Sequence, residues 1–188
     1  MIIGNKKTFA FEIGEKTSDD YSQVRKVNIY IADHNVSCRD NTVYVSSFVG
    51  AVWHTARDLR HKLDYYSDED IFFGHSIEQA HKIITKLILS LYKENSAEED
   101  EFLLSRVRKY WYDFLDWGET TDGVFSFLFP INGKLYLTLE YKDKNHQPAM
   151  EIGEGFATEI TPYEIIQVCE MAIAVLNDKN LYLTEKSP

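Results

Sequence analysis

An alternation of apolar residues on both sides of an Asn-Gly pair constrains this fold more than any other feature of the chain. The apolar positions are Phe125, Phe127 and Phe129 before the pair, and Leu135, Leu137, Leu139 and Tyr141 after it. An apolar residue at every second position gives a β-strand one apolar face, and Asn-Gly tolerates the backbone of a tight hairpin turn. The pattern therefore predicts an antiparallel hairpin around Asn132-Gly133, and Pro130 favours a four-residue loop over a two-residue one.

Shorter alternations predict more strands, most of them in the first third of the chain. Apolar residues alternate along Thr8–Ile13 and Val27–Ile31, and Val43 and Val45 flank Tyr44 in a third run. The polar stretch Asp33–Asn41 predicts a loop between the last two runs. A further short strand is expected around Ala149–Ile152.

Helical periodicity dominates the middle of the chain. Between Ser47 and Tyr66 one stripe contains the apolar residues Val52, Ala56, Leu59, Leu63 and Tyr66. Ser76 and Gln79 form a capping box, in which each side chain can bond to the backbone N–H of the other residue. This box predicts a second helix, whose apolar face comprises Ile77, Ala80, Ile84, Leu87, Ile88 and Leu91.

Two more helix starts follow in the sequence. Ser96 and Glu99 repeat the capping box and predict a third helix that reaches Trp117 and ends at Gly118. Thr161-Pro162-Tyr163-Glu164 combines a capping hydroxyl, a proline in the first turn and an acid at the third helical position. The helix that begins there and runs to Leu176 is apolar nearly all round, so it is expected to be the most buried.

These elements predict an α+β fold, with a mainly antiparallel sheet packed against about four helices. No repeat or linker divides residues 1–188, so we expect a single domain. Its parts are a strand-rich segment over 1–46, a helical segment over 47–118, and a hairpin with a C-terminal helix over 122–178.

The charge of the chain is acidic and unevenly distributed. The 188 residues include 30 acidic and 20 basic side chains, for a net charge of −10. Because phosphate contacts need clustered Lys and Arg, this balance argues against a general nucleic-acid-binding protein and favours a basic partner. Residues 61–122 hold 14 of the acids and 7 basic residues, for −7, so the acidity belongs mostly to the helical middle.

The sequence also indicates in which cellular compartment the protein is expected. The opening apolar run is too short for a signal peptide, and no window approaches the ~20 apolar residues that cross a membrane. Two cysteines allow at most one disulfide. We therefore expect a cytoplasmic protein with reduced thiols and no membrane contact, either a monomer or a dimer.

Motifs for cofactors and metals are missing from the sequence. The glycines form no dinucleotide-binding or P-loop pattern, and Gly153-Glu154-Gly155 is best interpreted as a turn. His54, Asp58 and His61 share one helix face, but this face lies opposite the apolar stripe, where metal ligands lack orienting partners. We expect no metal and no cofactor.

Two cysteines are the candidates for nucleophilic catalysis. Cys38 lies near His34 and beside Arg39, which could lower its pKa, whereas Cys169 fits the apolar last helix as a small core residue. No oxyanion-hole motif accompanies either thiol. The sequence therefore predicts no catalytic residue, with a hydrolase that uses Cys38 as an alternative.

Two acidic-aromatic clusters are the candidate binding surface. The first consists of Asp64, Tyr65, Tyr66, Asp68, Glu69 and Asp70, followed by Phe72 and Phe73; the second consists of Asp113, Asp116, Trp117, Glu119 and Asp122. Protein interfaces favour aromatic anchors, and surrounding acids attract a basic partner. The alternative, in which the aromatics pack inward and the acids are only solvated, stays open. The acids Glu98–Glu101 are explained by their place in a first helical turn.

The opening residues, Met1-Ile2-Ile3-Gly4-Asn5 followed by the strand around Phe9-Ala10-Phe11, resemble the start of bacterial immunity proteins of polymorphic-toxin systems. The resemblance is nearest to the immunity protein 42 family. It implies a small, acidic, cytoplasmic antitoxin without catalytic motifs, which binds one cognate toxin domain. Such a toxin is commonly a nuclease delivered by contact-dependent growth inhibition or a related system, and is basic because it holds nucleic acid. No functional residue transfers, because these families diversify at their interfaces.

The sequence therefore favours a non-enzymatic immunity protein that neutralises a toxin domain by one-to-one binding. Its predicted toxin-binding residues are the two acidic-aromatic clusters. The alternatives are a regulatory or adaptor protein for another basic partner and, less favoured, the hydrolase that uses Cys38.

Overall fold

The chain folds into two antiparallel sheets and three helices over the part that the computed structural model describes, residues 1–16, 23–37, 39, 41–61, 72–91, 112–142 and 152–177. The strands are β1 (Ile2–Asn5), β2 (Phe9–Lys16), β3 (Val24–Ile31), β4 (His34–Asn35), β5 (Thr42–Tyr44), β6 (Tyr112–Asp113), β7 (Val124–Ile131), β8 (Lys134–Tyr141) and β9 (Gly155–Glu159). The helices are α1 (Val45–His61), α2 (Ile77–Leu91) and α3 (Pro162–Asn177). The α+β class and the antiparallel pairing are as predicted, but the strands form two sheets instead of one, and the described residues contain three helices where about four were expected over the chain.

The first sheet contains β1 to β5, with β3 pairing with β2, β4 and β5. The sequence predicted β2 and β3, but not β1, which pairs with β2 in a hairpin. Gly4 is required there, because its φ is +93° and a Cβ would clash with the carbonyl oxygen of Phe9. The glycine of the opening motif thus has a structural reason.

The second sheet has the order β6-β7-β8-β9 and contains the predicted hairpin. Ile131 pairs with Lys134, so the loop has two residues, Asn132 and Gly133, with φ of 51° and 72°. The expected four-residue loop is wrong. Pro130 lies within β7 although it has no backbone N–H to donate. In the described part of the chain β6 pairs only with Phe127 and Leu128 of β7, so no hydrogen bond between strands is lost on the β6 side of Pro130.

The helix caps agree with the sequence more closely than the helix bodies do. At α2 the Ser76 amide donates to Gln79 Oε1 at 2.8 Å, and the Gln79 amide donates to Ser76 Oγ at 3.1 Å. At α3 the Thr161 amide donates to Glu164 Oε2 at 2.8 Å, and the Glu164 amide donates to Thr161 Oγ1 at 3.2 Å. Both capping predictions are confirmed.

Several element predictions are wrong. Val45 begins α1 instead of continuing a strand, and Ile152, the last residue of the short strand expected around Ala149–Ile152, lies in a turn. Residues 149–151 of that expected strand lie outside the described residues. The predicted third helix cannot reach Trp117, because residues 112–113 pair with β7; its residues 96–111 lie outside the described residues. The last helix buries one face, while Tyr163 and Met171 are exposed, because α3 packs on α1 and on β1 and β2 instead of being surrounded.

Two apolar clusters form the core of the part of the chain that the structure describes, and the β7–β8 hairpin contributes to both. Leu128 and Leu137 face a cluster formed with β1–β5, α1 and α3. Phe127 and Phe129 face a second cluster, under α2, in which Ile84 is fully buried. Phe125, Phe127 and Phe129 therefore point to the α2 side, and the leucines of β8 point to the other.

No helix in the described part of the chain is both long and apolar enough to cross a membrane.

Candidate functional site

The second acidic-aromatic cluster surrounds a cavity beside β6 and β7. Asp113, Asp116 and Asp122 are exposed and line this cavity of about 240 Å³, whose apolar wall includes Phe114 and Phe125. Glu119 is exposed in the same loop without lining the cavity. The structure therefore brings three of the four predicted acids of this cluster together. We call this cavity the acidic cavity.

A buried hydroxyl shapes the loop that carries these acids. Thr121 Oγ1 donates to the Leu115 carbonyl at 2.6 Å and accepts from the Trp117 amide at 3.3 Å. Leu115 has φ of 71°, a conformation that costs an ordinary residue about 1–2 kcal/mol. These hydrogen bonds hold the loop in its shape, with Asp116 and Asp122 on its surface.

Trp117, the predicted aromatic anchor of this cluster, is a core residue. It is 5% exposed, and its ring contacts the rings of Phe9, Phe11 and Phe48. Its Nε1–H donates to Thr55 Oγ1 at 2.9 Å, so the polar end of the indole is satisfied inside the protein. For Trp117 the alternative interpretation, in which the aromatic side chain packs inward, is correct, so this side chain is not available on the surface to contact a partner.

The first cluster lies mostly outside the described residues. Asp64, Tyr65, Tyr66, Asp68, Glu69 and Asp70 all fall there, so their role stays a prediction. At the end of this segment Phe72 is buried against Phe129, with ring centroids 5.3 Å apart, whereas Phe73 is 79% exposed. Of these two aromatic side chains, Phe72 therefore faces the core and Phe73 faces solvent.

A second cavity of about 240 Å³ lies between α2 and strands β8 and β9. Its lining includes His81 and Lys82 from α2, Glu140 from β8 and Phe156 from β9. The His81 side chain is 6% exposed, and its Nε2 lies 3.2 Å from Glu140 Oε2. We call this cavity the His81 cavity.

Burial disfavours the charged form of both groups in this pair. It lowers the pKa of His81 from 6.5 to about 4, and the positive charge of Lys82 acts in the same direction. Burial also raises the pKa of Glu140, which Lys82 opposes and Glu78 reinforces. At neutral pH His81 is therefore the neutral imidazole.

Sequence reasoning missed this pair. His81 lies four residues after Ile77 and three before Ile84, so it falls within the predicted apolar stripe of α2, and that position was the available signal. Glu140 carried no such signal, because strands routinely alternate acids with apolar residues. Their proximity depends on α2 packing over the second sheet.

Among the described residues, the remaining candidates do not assemble a reactive centre. His54 and His61 are exposed on α1, and Asp58 bonds to Arg57. Within the described ranges no group of three His, Cys, Asp or Glu residues could hold a metal ion. Cys169 is buried, which raises the pKa of its thiol, and Cys38 lies outside the described residues.

Comparison with known proteins finds similarity at the level of the fold. No protein-family model matches the chain, and no curated protein matches it. The fold is similar to the crystal structure of CdiI from Burkholderia dolosa, with a TM-score of 0.58 and 14% sequence identity over 93% of this chain and 99% of that chain. The resemblance to the immunity protein 42 family stays a prediction.

Proposed function

We propose that this protein is an immunity protein that binds a cognate toxin domain and neutralises it in a one-to-one complex. The observation that carries the proposal is the fold shared with a CdiI immunity protein over nearly the whole of both chains. The resemblance of residues 1–13 to immunity proteins supports it as well, because that resemblance rests on the amino-acid sequence and not on the fold. The action is binding in the cytoplasm of the protected cell, without catalysis.

We propose further that the toxin domain is basic and is a nuclease. The support is the charge of the chain, −10, together with the three exposed aspartates around the acidic cavity. A nuclease presents cationic side chains to the phosphates of its substrate, so an acidic inhibitor meets complementary charge there. The proposed contact surface is the acidic cavity with Glu119, joined by the acidic residues of segment 64–70.

Co-expression with the toxin domain encoded immediately upstream tests the function. We expect the protein to restore growth of cells that produce the toxin and to copurify with it at equal stoichiometry. A toxin from an unrelated system is the control for specificity. If the protein neither protects the cell nor copurifies with the toxin, the proposal is wrong.

Paired charge reversals test the contact surface. Asp116→Lys with Asp122→Lys changes two acids at the acidic cavity, while Glu159→Lys with Glu170→Lys changes two exposed acids elsewhere; each pair alters the net charge equally. At low salt we expect the first pair to slow toxin association by about tenfold or more, with a much smaller effect of the second. Equal rates for the two pairs would place the contact elsewhere, and reversal of Asp68, Glu69 and Asp70 then tests the other cluster.

A further inference from the structure

The His81 cavity contains a buried acceptor without a hydrogen bond. This acceptor is His81 Nε2, which makes no hydrogen bond with any described residue, although the His81 side chain is only 6% exposed. A polar atom buried without a partner costs about 1–3 kcal/mol, so its persistence needs an explanation. The cavity volume of about 240 Å³ greatly exceeds the roughly 10–15 Å³ that one water molecule needs.

The neighbouring hydrogen bonds favour one tautomer of neutral His81. Thr138 Oγ1 donates its hydrogen to the Phe127 carbonyl at 3.1 Å, so it acts as the acceptor toward His81 Nδ1 at 2.8 Å. We therefore assign the hydrogen of neutral His81 to Nδ1, which leaves a lone pair on Nε2. This lone pair faces the carboxylate oxygen Oε2 of Glu140, so two acceptors meet and both require a donor.

The charges at the cavity favour a cationic donor. Lys82 bonds to Glu78 at 2.6 Å, and this exposed pair is neutral overall. With His81 neutral, Glu140 then leaves the lining residues with one net negative charge. A carboxylate on the first sheet shows the contrast: Glu12 accepts hydrogen bonds from Tyr30, Lys6 and Asn28, so its needs are met within the protein.

We infer that the His81 cavity receives one arginine side chain of a protein partner, whose guanidinium donates to Glu140 Oε2 and His81 Nε2 together. A guanidinium has N–H groups in a fixed planar fork, which suits two acceptors 3.2 Å apart better than the single nitrogen of lysine. Ile77 lines the cavity for the aliphatic stem, and Gly155 and Ala157 on β9 leave room beside it. That the arginine belongs to the toxin domain depends on the proposed function.

A small probe tests the cavity without the toxin. Ethylguanidinium is titrated into the isolated full-length protein while proton–nitrogen correlation spectra follow the imidazole of His81, with ethylammonium as the comparison cation. We expect millimolar binding of ethylguanidinium that shifts the Nε2 resonance, and weaker binding of ethylammonium. Glu140→Gln and His81→Asn should each weaken binding by about tenfold or more, because a charge-assisted bond or the Nε2 acceptor is lost.

The controls separate this inference from a general charge effect. His81→Asn keeps a donor near the Nδ1 position, and Glu140→Gln keeps the shape of the side chain, so each removes one acceptor with little change in volume. Glu159→Gln removes an exposed carboxylate on β9 and should leave probe binding unchanged. The inference is overturned if the wild type does not bind the probe, if all three variants bind it equally, or if Nε2 already carries a hydrogen at neutral pH in the free protein.

Failure here and failure of the proposed function are distinguishable. The probe titration contains no toxin, so it can fail while the wild-type protein still protects the cell. If the wild type binds its toxin, the inference expects Glu140→Gln to weaken that complex by about tenfold or more, and Glu159→Gln to leave it unchanged. An equal affinity of both variants for the toxin would overturn the assignment of the arginine to the toxin.

Discussion

At the scale of single residues, Trp117 and His81 are two ring side chains with polar atoms that lie inside the core. Trp117 and His81 each make a hydrogen bond to a buried threonine, Trp117 to Thr55 and His81 to Thr138. A large side chain with one polar atom is stable in a core when that atom has a partner. Trp117 was predicted as an interface residue because amphipathic rings favour interfaces, and the partner that decided otherwise is 62 positions away along the chain.

Replacement of Trp117 measures how much its burial and its hydrogen bond to Thr55 contribute to the free energy of unfolding. Trp117→Phe removes the hydrogen bond and leaves the Thr55 hydroxyl buried, so we expect the free energy of unfolding to fall by about 2–3 kcal/mol in urea titrations followed by circular dichroism. Trp53→Phe is the matched control, because Trp53 is 49% exposed, and we expect a change within about 0.5 kcal/mol. Equal losses in the two variants would contradict a core role for Trp117.

His81 makes stability depend on pH with a definite sign. Its pKa falls from 6.5 to about 4 on folding, so between these values the unfolded chain binds more protons than the folded one. The stability that neutral His81 confers is therefore present above pH 6.5 and is lost as the pH falls toward 4. Glu140, whose pKa is raised on folding, acts in the opposite direction.

The variant His81→Asn isolates the contribution of His81 to the pH dependence of stability. Since His81→Asn does not titrate, we expect wild-type stability to fall more steeply than that of the variant between pH 6.5 and pH 4, by up to about 3 kcal/mol in total. Urea unfolding at a series of pH values measures both curves. Parallel curves would contradict the depressed pKa.

At the scale of elements, caps and turns followed the sequence because they depend on neighbours in the chain. The capping boxes at Ser76 and Thr161 join residues three positions apart, and the hairpin turn depends on Asn132 and Gly133 themselves. Helix and strand ends were less predictable. Val45 alternates like a strand residue, yet it begins α1, because pairing of β5 with β3 stops at Tyr44.

Two glycines with open space around them separate backbone conformation from packing. An added Cβ meets no atom within 4 Å at Gly133 or at Gly50. Gly133 has φ of 72°, so we expect Gly133→Ala to lower the free energy of unfolding by about 1 kcal/mol. Gly50 lies within α1, so Gly50→Ala should raise it by about 0.5–1 kcal/mol. Chemical denaturation measures both, and effects of the same sign would contradict the backbone explanation.

At the scale of the whole molecule, the β7–β8 hairpin couples the two core clusters. One of its faces packs against the first sheet with α1 and α3, and the other packs under α2. Loss of packing on one face should therefore weaken the other. A single domain, as the sequence predicts for residues 1–188, implies one cooperative unfolding unit.

Truncation of Ile84 tests this coupling. Ile84 is fully buried in the cluster under α2, so Ile84→Ala should cost about 2–5 kcal/mol. We expect one transition, with the same midpoint by circular dichroism and by tryptophan fluorescence, since Trp117 lies in the other cluster. Two separate transitions, or an unchanged fluorescence midpoint, would show that the clusters unfold independently. Leu137→Ala on the opposite face provides the reciprocal measurement.

The sequence by itself determined the α+β class, the central hairpin, the helix caps and the acidic character of the middle segment. These features depend on periodicity, turn chemistry and composition, which residues close together in the chain specify. Only the tertiary structure placed Trp117 in the core, gathered Asp113, Asp116 and Asp122 around one cavity, and brought His81 against Glu140. These arrangements depend on which helix packs over which sheet. Contacts between residues about 60 positions apart leave no local pattern, because their energy exists only after the elements have met.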